Sequence, residues 1–327
     1  MSICYRVIAT AMSVLILFAG CGKAEPTATP VSKAPSPTAT ATPVPPTATP
    51  LPPTPTATLL ATPTEEPPAA PQGFMLSGVG FSTPESVLHD PETDVYLVAN
   101  INGDPSARDG NGFISRVSPE GEVIALKWID GEVEGVTLDA PKGMALTGER
   151  LFVADITVVR VFDRGSGDSL DEIPVEGATF LNDVAAAEDG TVYVTDSGTG
   201  VIHRIRPDGT LEQAGQTKNP NGIHVRGETI LVTGGSNQIF RLGDEGALTP
   251  EYETPTGGLD GLILLDDGSV LVSSWDGMAV YQFDADGQVS TLFSGIKSPA
   301  DIGFDSQRRL VLIPHFEDDQ VEARPLP

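Results

Sequence analysis

The sequence predicts an all-β fold, a six-bladed β-propeller, preceded by a Pro/Thr-rich tether. Two observations predict it. A short polar step recurs six times: Pro84-Glu85-Ser86, Pro141-Lys142-Gly143, Leu181-Asn182-Asp183, Pro220-Asn221-Gly222, Leu259-Asp260-Gly261 and Pro299-Ala300-Asp301. Successive middle residues lie 57, 40, 39, 39 and 40 positions apart. Each step leads into short alternating strands joined by tight turns, and a repeat of that length built from strands is a propeller signature.

The third unit shows the pattern. Val184–Ala187 is apolar, Glu188-Asp189-Gly190 is a turn, and Thr191–Thr195 alternates as a strand. Val201–Ile205 and Leu211–Ala214 form a second hairpin across Pro207-Asp208-Gly209. Asp-Gly steps supply the positive φ that tight hairpins need. Comparable turns stand at Pro119-Glu120-Gly121, Asp266-Asp267-Gly268 and Ala285-Asp286-Gly287. Each unit therefore reads as four antiparallel strands, A to D, from the axis outward. The sixth is one strand short, since only Gln320–Leu326 follows Leu310–Ile313. Gly73–Val79 is available to complete that blade and close the ring.

Three regions are expected: a leader over 1–21, a linker over 22–72 and the propeller over 73–327. The leader carries Arg6, an apolar run Val7–Ala19 and then Gly20-Cys21. The run is too short for an ordinary membrane span. Phe18-Ala19-Gly20-Cys21 resembles a bacterial lipobox, with Phe where Leu is commoner. Cys21 is thus the expected lipidation site and new N-terminus, and the protein is expected on the bacterial cell envelope, exported and held to the membrane by N-terminal lipid. Cys4 lies within the leader, so no intrachain disulfide is expected. Thr27–Pro30, Thr40–Pro43 and Thr47–Pro50 repeat Thr-Ala-Thr-Pro. Such a segment favours extended polyproline II and reaches about 150 Å at most, at about 3.1 Å per residue.

The chain has 45 acidic against 19 basic residues, a formal net charge of −26. That balance argues against nucleic acid as a partner. The expected partner is a small molecule, and the propeller is expected to be monomeric.

Propeller geometry brings the middle residues of the polar steps around one axis. Glu85, Lys142, Asn182, Asn221, Asp260 and Ala300 should ring a single pocket. Two carboxylates and two amide oxygens make a hard donor set suited to Ca²⁺, Mg²⁺ or Mn²⁺. The alternative is that they cap strands and hold water in the channel mouth. Lys142 is open to three readings: it polarises a substrate carbonyl or binds an anion, it pairs with Glu85 or Asp260 in competition with a metal, or it lies outward. The loops after strand B bring Asp155, Asp196, Asn237, Trp275 and His315 to the same rim. The blade 1 insertion Asn102–Gly112 should overhang it. Trp275 could stack on a substrate or pack a blade. His315 has the best claim of the four histidines, which otherwise lack metal-ligand spacing.

The chain resembles the senescence-marker-protein/gluconolactonase family of regucalcin-like six-bladed propellers. The resemblance rests on Pro84-Glu85-Ser86 with Asp90-Pro91, Leu181-Asn182-Asp183 with Val194-Thr195-Asp196, Pro220-Asn221-Gly222-Ile223, and Leu259-Asp260-Gly261 with Asp267-Gly268. It implies a divalent cation held by Glu85, Asn221 and Asp260, with Asn182 at the cation or the substrate. It also implies metal-dependent hydrolysis of a small lactone or ester, with Asp260 as the proton-transfer group. Lys142 is a second candidate catalytic residue. Asn182, Trp275 and His315 are candidate substrate contacts. Phe180 departs from the family, whose sugar lactonases often have Arg there. The other reading is a non-catalytic propeller that binds a small ligand or protein partner on its top face.

Overall fold

The computed structural model describes residues 72–327, so the leader, Cys21 and the tether up to residue 71 lie outside the described residues. The described chain forms six four-stranded antiparallel sheets. Blade 1 comprises β2 (Pro84–Asp90), β3 (Val95–Asn100), β4 (Phe113–Val117) and β5 (Val123–Asp130). Blade 2 comprises β6 (Pro141–Thr147), β7 (Arg150–Asp155), β8 (Val158–Asp163) and β9 (Ser169–Pro174). Blade 3 runs through β10 (Leu181–Ala186), β11 (Val192–Asp196), β12 (Val201–Ile205) and β13 (Leu211–Gln216). Blade 4 uses β14 (Ile223–Arg226), β15 (Thr229–Gly234), β16 (Gln238–Leu242) and β17 (Leu248–Glu253). Blade 5 uses β18 (Leu259–Leu264), β19 (Val270–Ser274), β20 (Ala279–Phe283) and β21 (Val289–Ser294).

Blade 6 is built from both ends of the domain. Its order is β1 (Phe74–Leu76), β24 (Gln320–Pro325), β23 (Leu310–His315), β22 (Gly303–Asp305). Phe74 pairs with Ala323 and Leu76 with Val321, in antiparallel register. Both apolar side chains pack on the cluster that includes Tyr96, Val98, Leu312 and Val321. The expected closure is therefore observed, with a shorter N-terminal strand than Gly73–Val79. On the inner side, Asp301 N donates to Glu85 O at 2.9 Å and Val87 N to Asp301 O at 3.3 Å, joining blades 6 and 1.

The core lies between blades. The middle of strand B in each blade is mainly apolar because both of its faces are covered by neighbouring blades. Leu97, Val98, Val153, Val194, Val232 and Val272 are fully buried, each contributing about 1.5–3 kcal/mol. The outer strands β9, β17 and β21 are largely exposed and polar.

One detail positions the site. The polar steps expected ahead of strand A are the first residues of that strand in blades 1, 2, 3 and 5. In those blades the pairing slips at the step, between Pro84 and Ser86, Pro141 and Met144, Leu181 and Val184, and Leu259 and Leu262. Such irregularities bend the strand and re-aim side chains. Here they release Glu85, Lys142, Asn182 and Asp260 from the ladder at the axis.

Candidate active site

Glu85, Lys142, Asn182, Asn221 and Asp260 line one cavity of about 360 Å³ at the end of the propeller axis, together with Trp275. Asp260 is held from two sides: Trp275 Nε1 donates to its Oδ2 at 2.8 Å, and the Asn221 amide donates to the same carboxylate. Asn182 Nδ2 donates to Ser197 Oγ at 3.0 Å, which fixes the orientation of its amide.

Three oxygens in this ring are buried and accept no hydrogen bond: Glu85 Oε2, Asn221 Oδ1 and Asp260 Oδ1. A buried acceptor without a partner costs about 1–3 kcal/mol, more when charged. These atoms come from three blades and face a common cavity. A cation satisfies all three at once, and hard oxygen donors suit Ca²⁺, Mg²⁺ or Mn²⁺. The residues present therefore fit a divalent ion. Among the described residues no three His, Cys, Asp or Glu side chains form a metal-holding group by themselves. The fit depends on the two asparagine amides.

Lys142 points inward and is among the largest fully buried side chains, which removes the outward reading. It does not take the cation's place. Its Nζ donates to Ala140 O at 2.9 Å and Pro105 O at 3.0 Å, and lies 4.6 Å from the centre of the Phe180 ring. No ion pair with Glu85 or Asp260 forms. Burial lowers its pKa, while the Glu85 and Asp155 charges oppose the shift. The same contact pins the blade 1 insertion over the pocket. Arg108 Nη2 to Thr157 Oγ1 at 2.7 Å and Gly110 N to Asp139 Oδ1 at 3.0 Å complete that fastening.

The rim differs from expectation. His315 is buried and turned into blade 6, where its Nε2 meets Glu322 Oε2 at 3.2 Å; it does not line the pocket. On the β23–β24 pair it lies opposite Gln320, and Glu322 draws its ring away from the axis. The next residue, Phe316, reaches the cavity instead. Asp155 and Asp196 are internal caps. Asp155 accepts from Asp139 N and Ala140 N, and Asp196 from Thr179 N and Phe180 N. Asn237 bonds to Thr254 O at 2.9 Å. Of the five predicted rim residues, Trp275 alone lines the cavity.

A second tier lies one residue further along strand A: Ser86, Gly143, Asp183, Gly222, Gly261 and Asp301. Asp183 and Asp301 were not read as site residues from sequence. Burial lifts the Asp183 carboxyl to about 7 against the pull of Ile223 N and Val184 N, and Asp260 adds to the rise. Asp301 is raised by burial and by Asp183, Glu85 and Asp260. Glu85 is pushed well up by burial and Asp260, and Asp260 to about 7 by burial. Four carboxylates thus share one axial column. The glycines beside them leave no room for a side chain. A Cβ on Gly143 would stand 2.1 Å from Asp183 Oδ1, and one on Gly261 2.5 Å from Asp301 Oδ1. Three glycines and two aspartates at this one position of the repeat are the signal that points to the tier. Beyond it, a cavity of about 600 Å³ opens on the opposite face.

The fold is shared with solved structures named as gluconolactonases and a virginiamycin B lyase. A provisionally assigned gluconolactonase superposes with a TM-score of 0.61 and 19% identity, covering 78% of this chain and 92% of that one. The gluconolactonase of Xanthomonas campestris gives 0.59 at 20% identity, covering 77% and 89%. Virginiamycin B lyase from Staphylococcus aureus gives 0.57 at 13%, covering 77% and 98%. At these identities the similarity is one of fold. The sequence matches no known family profile and no curated protein.

Proposed function

We propose that the propeller is a divalent-metal-dependent hydrolase of a small lactone or ester. The observation that carries it is the set of three buried, unpartnered oxygens converging from Glu85, Asn221 and Asp260. The fold shared with gluconolactonases supports the same reading.

Glu85, Asn221 and Asp260 would hold the ion, with the free amide oxygen of Asn182 at the ion or the substrate. A divalent ion there supplies Lewis-acid polarisation of an ester carbonyl and of the attacking water. Asp260 is the proton-transfer group. Trp275 and Asn221 fix one face of its carboxylate and leave Oδ1 open to the cavity. Addition of water to the acyl carbon sends one proton to Asp260. Cleavage of the acyl–oxygen bond returns that proton to the alkoxide, giving a hydroxy acid. Ser197 braces the Asn182 amide through its nitrogen, so the amide oxygen is held for the ion or the substrate. Lys142 adds positive potential on the side where negative charge develops.

We further propose that the domain works outside the cell, held on the envelope by lipid on Cys21, with the tether as spacer. The deciding experiment for the chemistry is calorimetric titration of residues 72–327 with Ca²⁺, Mg²⁺ and Mn²⁺, paired with lactone hydrolysis with and without chelator. One stoichiometric site is expected in the wild type, and Asp260→Asn should lower both affinity and activity by at least about a hundredfold. Absence of divalent binding, with no hydrolysis, would leave a ligand-binding propeller.

A further inference from the structure

From the apolar wall of the inner pocket, we infer that the substrate presents an apolar acyl or aryl arm beside its ester, and is not a polyhydroxylated sugar lactone. This rests on the reading of the pocket as an ester-hydrolysing site and names its substrate class.

The side-chain donor groups of the inner cavity are partly engaged, and the Asn182 and Asn221 amides each keep a second N–H. Trp275 Nε1 is given to Asp260 and Asn182 Nδ2 to Ser197. The Asn221 amide is given to Asp260. Two Lys142 protons go to the carbonyls of Ala140 and Pro105, and the ammonium sits on the Phe180 ring. The polar atoms of the ring that are buried with no partner at all are acceptors, Glu85 Oε2, Asn221 Oδ1 and Asp260 Oδ1.

The rest of the wall is Ile101, Pro105, Phe180, Leu259, Trp275 and Phe316. Trp275 and Phe316 form a tilted aromatic pair with centroids 5.2 Å apart. Phe316 is braced from behind by Ile101, Ala140 and Ile156. This surface is therefore held in place before any ligand arrives. Hydroxyls pressed against it lose water and gain no partner, whereas an alkyl or aryl group gains burial. About 360 Å³ accommodates a ligand of fragment size. An adjoining space of about 660 Å³ over blades 3 to 5 is lined by Ser197, Asn219 and Ser236, and would take the polar remainder of the substrate.

The test compares δ-decanolactone and phenyl acetate with glucono-δ-lactone on metal-loaded wild type. The apolar esters should exceed the sugar lactone in kcat/KM by about a hundredfold. A ratio below about tenfold, or a preference for the sugar lactone, overturns the inference. If neither class is cleaved, the hydrolase reading fails, and fluorescence titration decides the pocket claim separately. Trp275, one of two tryptophans in the chain, should respond to δ-decanolactone at concentrations at least about tenfold lower than to glucono-δ-lactone. Equal responses overturn it. Phe316→Ser should weaken the decanolactone response by about tenfold and leave divalent binding unchanged. Should that variant not fold, the wild-type ratio alone carries the test.

Discussion

At the residue scale, two buried charges, Lys142 in the pocket and Asp90 on the opposite face, each give a prediction. Lys142 is satisfied by carbonyls and an aromatic face, so its charge adds to the potential of the pocket without closing the oxygen set. Lys142→Met should then tighten divalent binding by on the order of tenfold, because one like charge is removed from a buried neighbourhood. Calorimetry on the two proteins checks this; weaker binding would show that Lys142 supports the donor set. Asp90, on the opposite face, gives a pH prediction. Burial pushes its pKa up, but Arg164, Thr93 and the amides of Glu92 and Thr93 outweigh that and hold it at about 2. Arg164 Nε lies 3.0 Å from Asp90 Oδ2. The folded pKa is depressed, so the stabilisation is present above the unfolded value near 4 and is lost as pH falls toward 2. It amounts to about 2 kcal/mol. Asp90→Asn should lose about that much at pH 7, and the gap to wild type should narrow in melts between pH 4 and 2.5.

At the element scale, strand B of one blade anchors strand A of the next through hydroxyls. Thr195 Oγ1 donates to Asn221 O at 2.7 Å, Thr233 Oγ1 to Asp260 O at 3.3 Å and Ser273 Oγ to Ala300 O at 2.8 Å. Ring residues are thus held by their backbones, and their side chains are left for the pocket. The repeat, the hairpin turns and the polar steps were legible in sequence because each depends on local chemistry: period-two alternation, Asp-Gly turns, and short polar residues at the start of strand A. The rim was not. Asp155, Asp196 and His315 are the last residues of strand B and turn to backbone amides or to Glu322, whereas Trp275 lies one place beyond its strand, level with Phe316. Nothing local distinguishes an Asp that caps a neighbouring loop from one that meets a ligand. The β1 strand offers a test of element packing. Deleting residues 72–79 exposes the edge of β24 and uncovers Val321 and Ala323. The truncated domain should melt at least about 5 °C lower than residues 72–327 and should aggregate through that edge; an unchanged melting temperature would mean that β1 does not fasten the ring.

At the scale of the whole molecule, six blades bring five polar side chains, spread over 175 positions from Glu85 to Asp260, onto one axis. A net charge of −26 in a chain whose centre concentrates four carboxylates favours cations over anions there. The proposed placement on the envelope rests on Cys21, outside the described residues. Cys21→Ser should shift the protein from the membrane fraction to the soluble one, while Cys4→Ser should leave it in place. Retention of Cys21→Ser in membranes would remove the lipid anchor from the account.

What the sequence by itself determined was the architecture: blade number, the borrowed closing strand and the ring of Glu85, Lys142, Asn182, Asn221 and Asp260. These follow from periodicity and from an equivalence of positions that any closed ring imposes. What only the tertiary structure decided was the direction and satisfaction of each side chain. Lys142 turned in but bonded to carbonyls, His315 was drawn to Glu322, Phe316 moved into the wall, and Asp183 and Asp301 formed a second acidic tier. Those outcomes depend on which partners from other blades come within about 3 Å, and hydrogen bonding at that range is settled by packing across blades, which no single segment of the chain encodes.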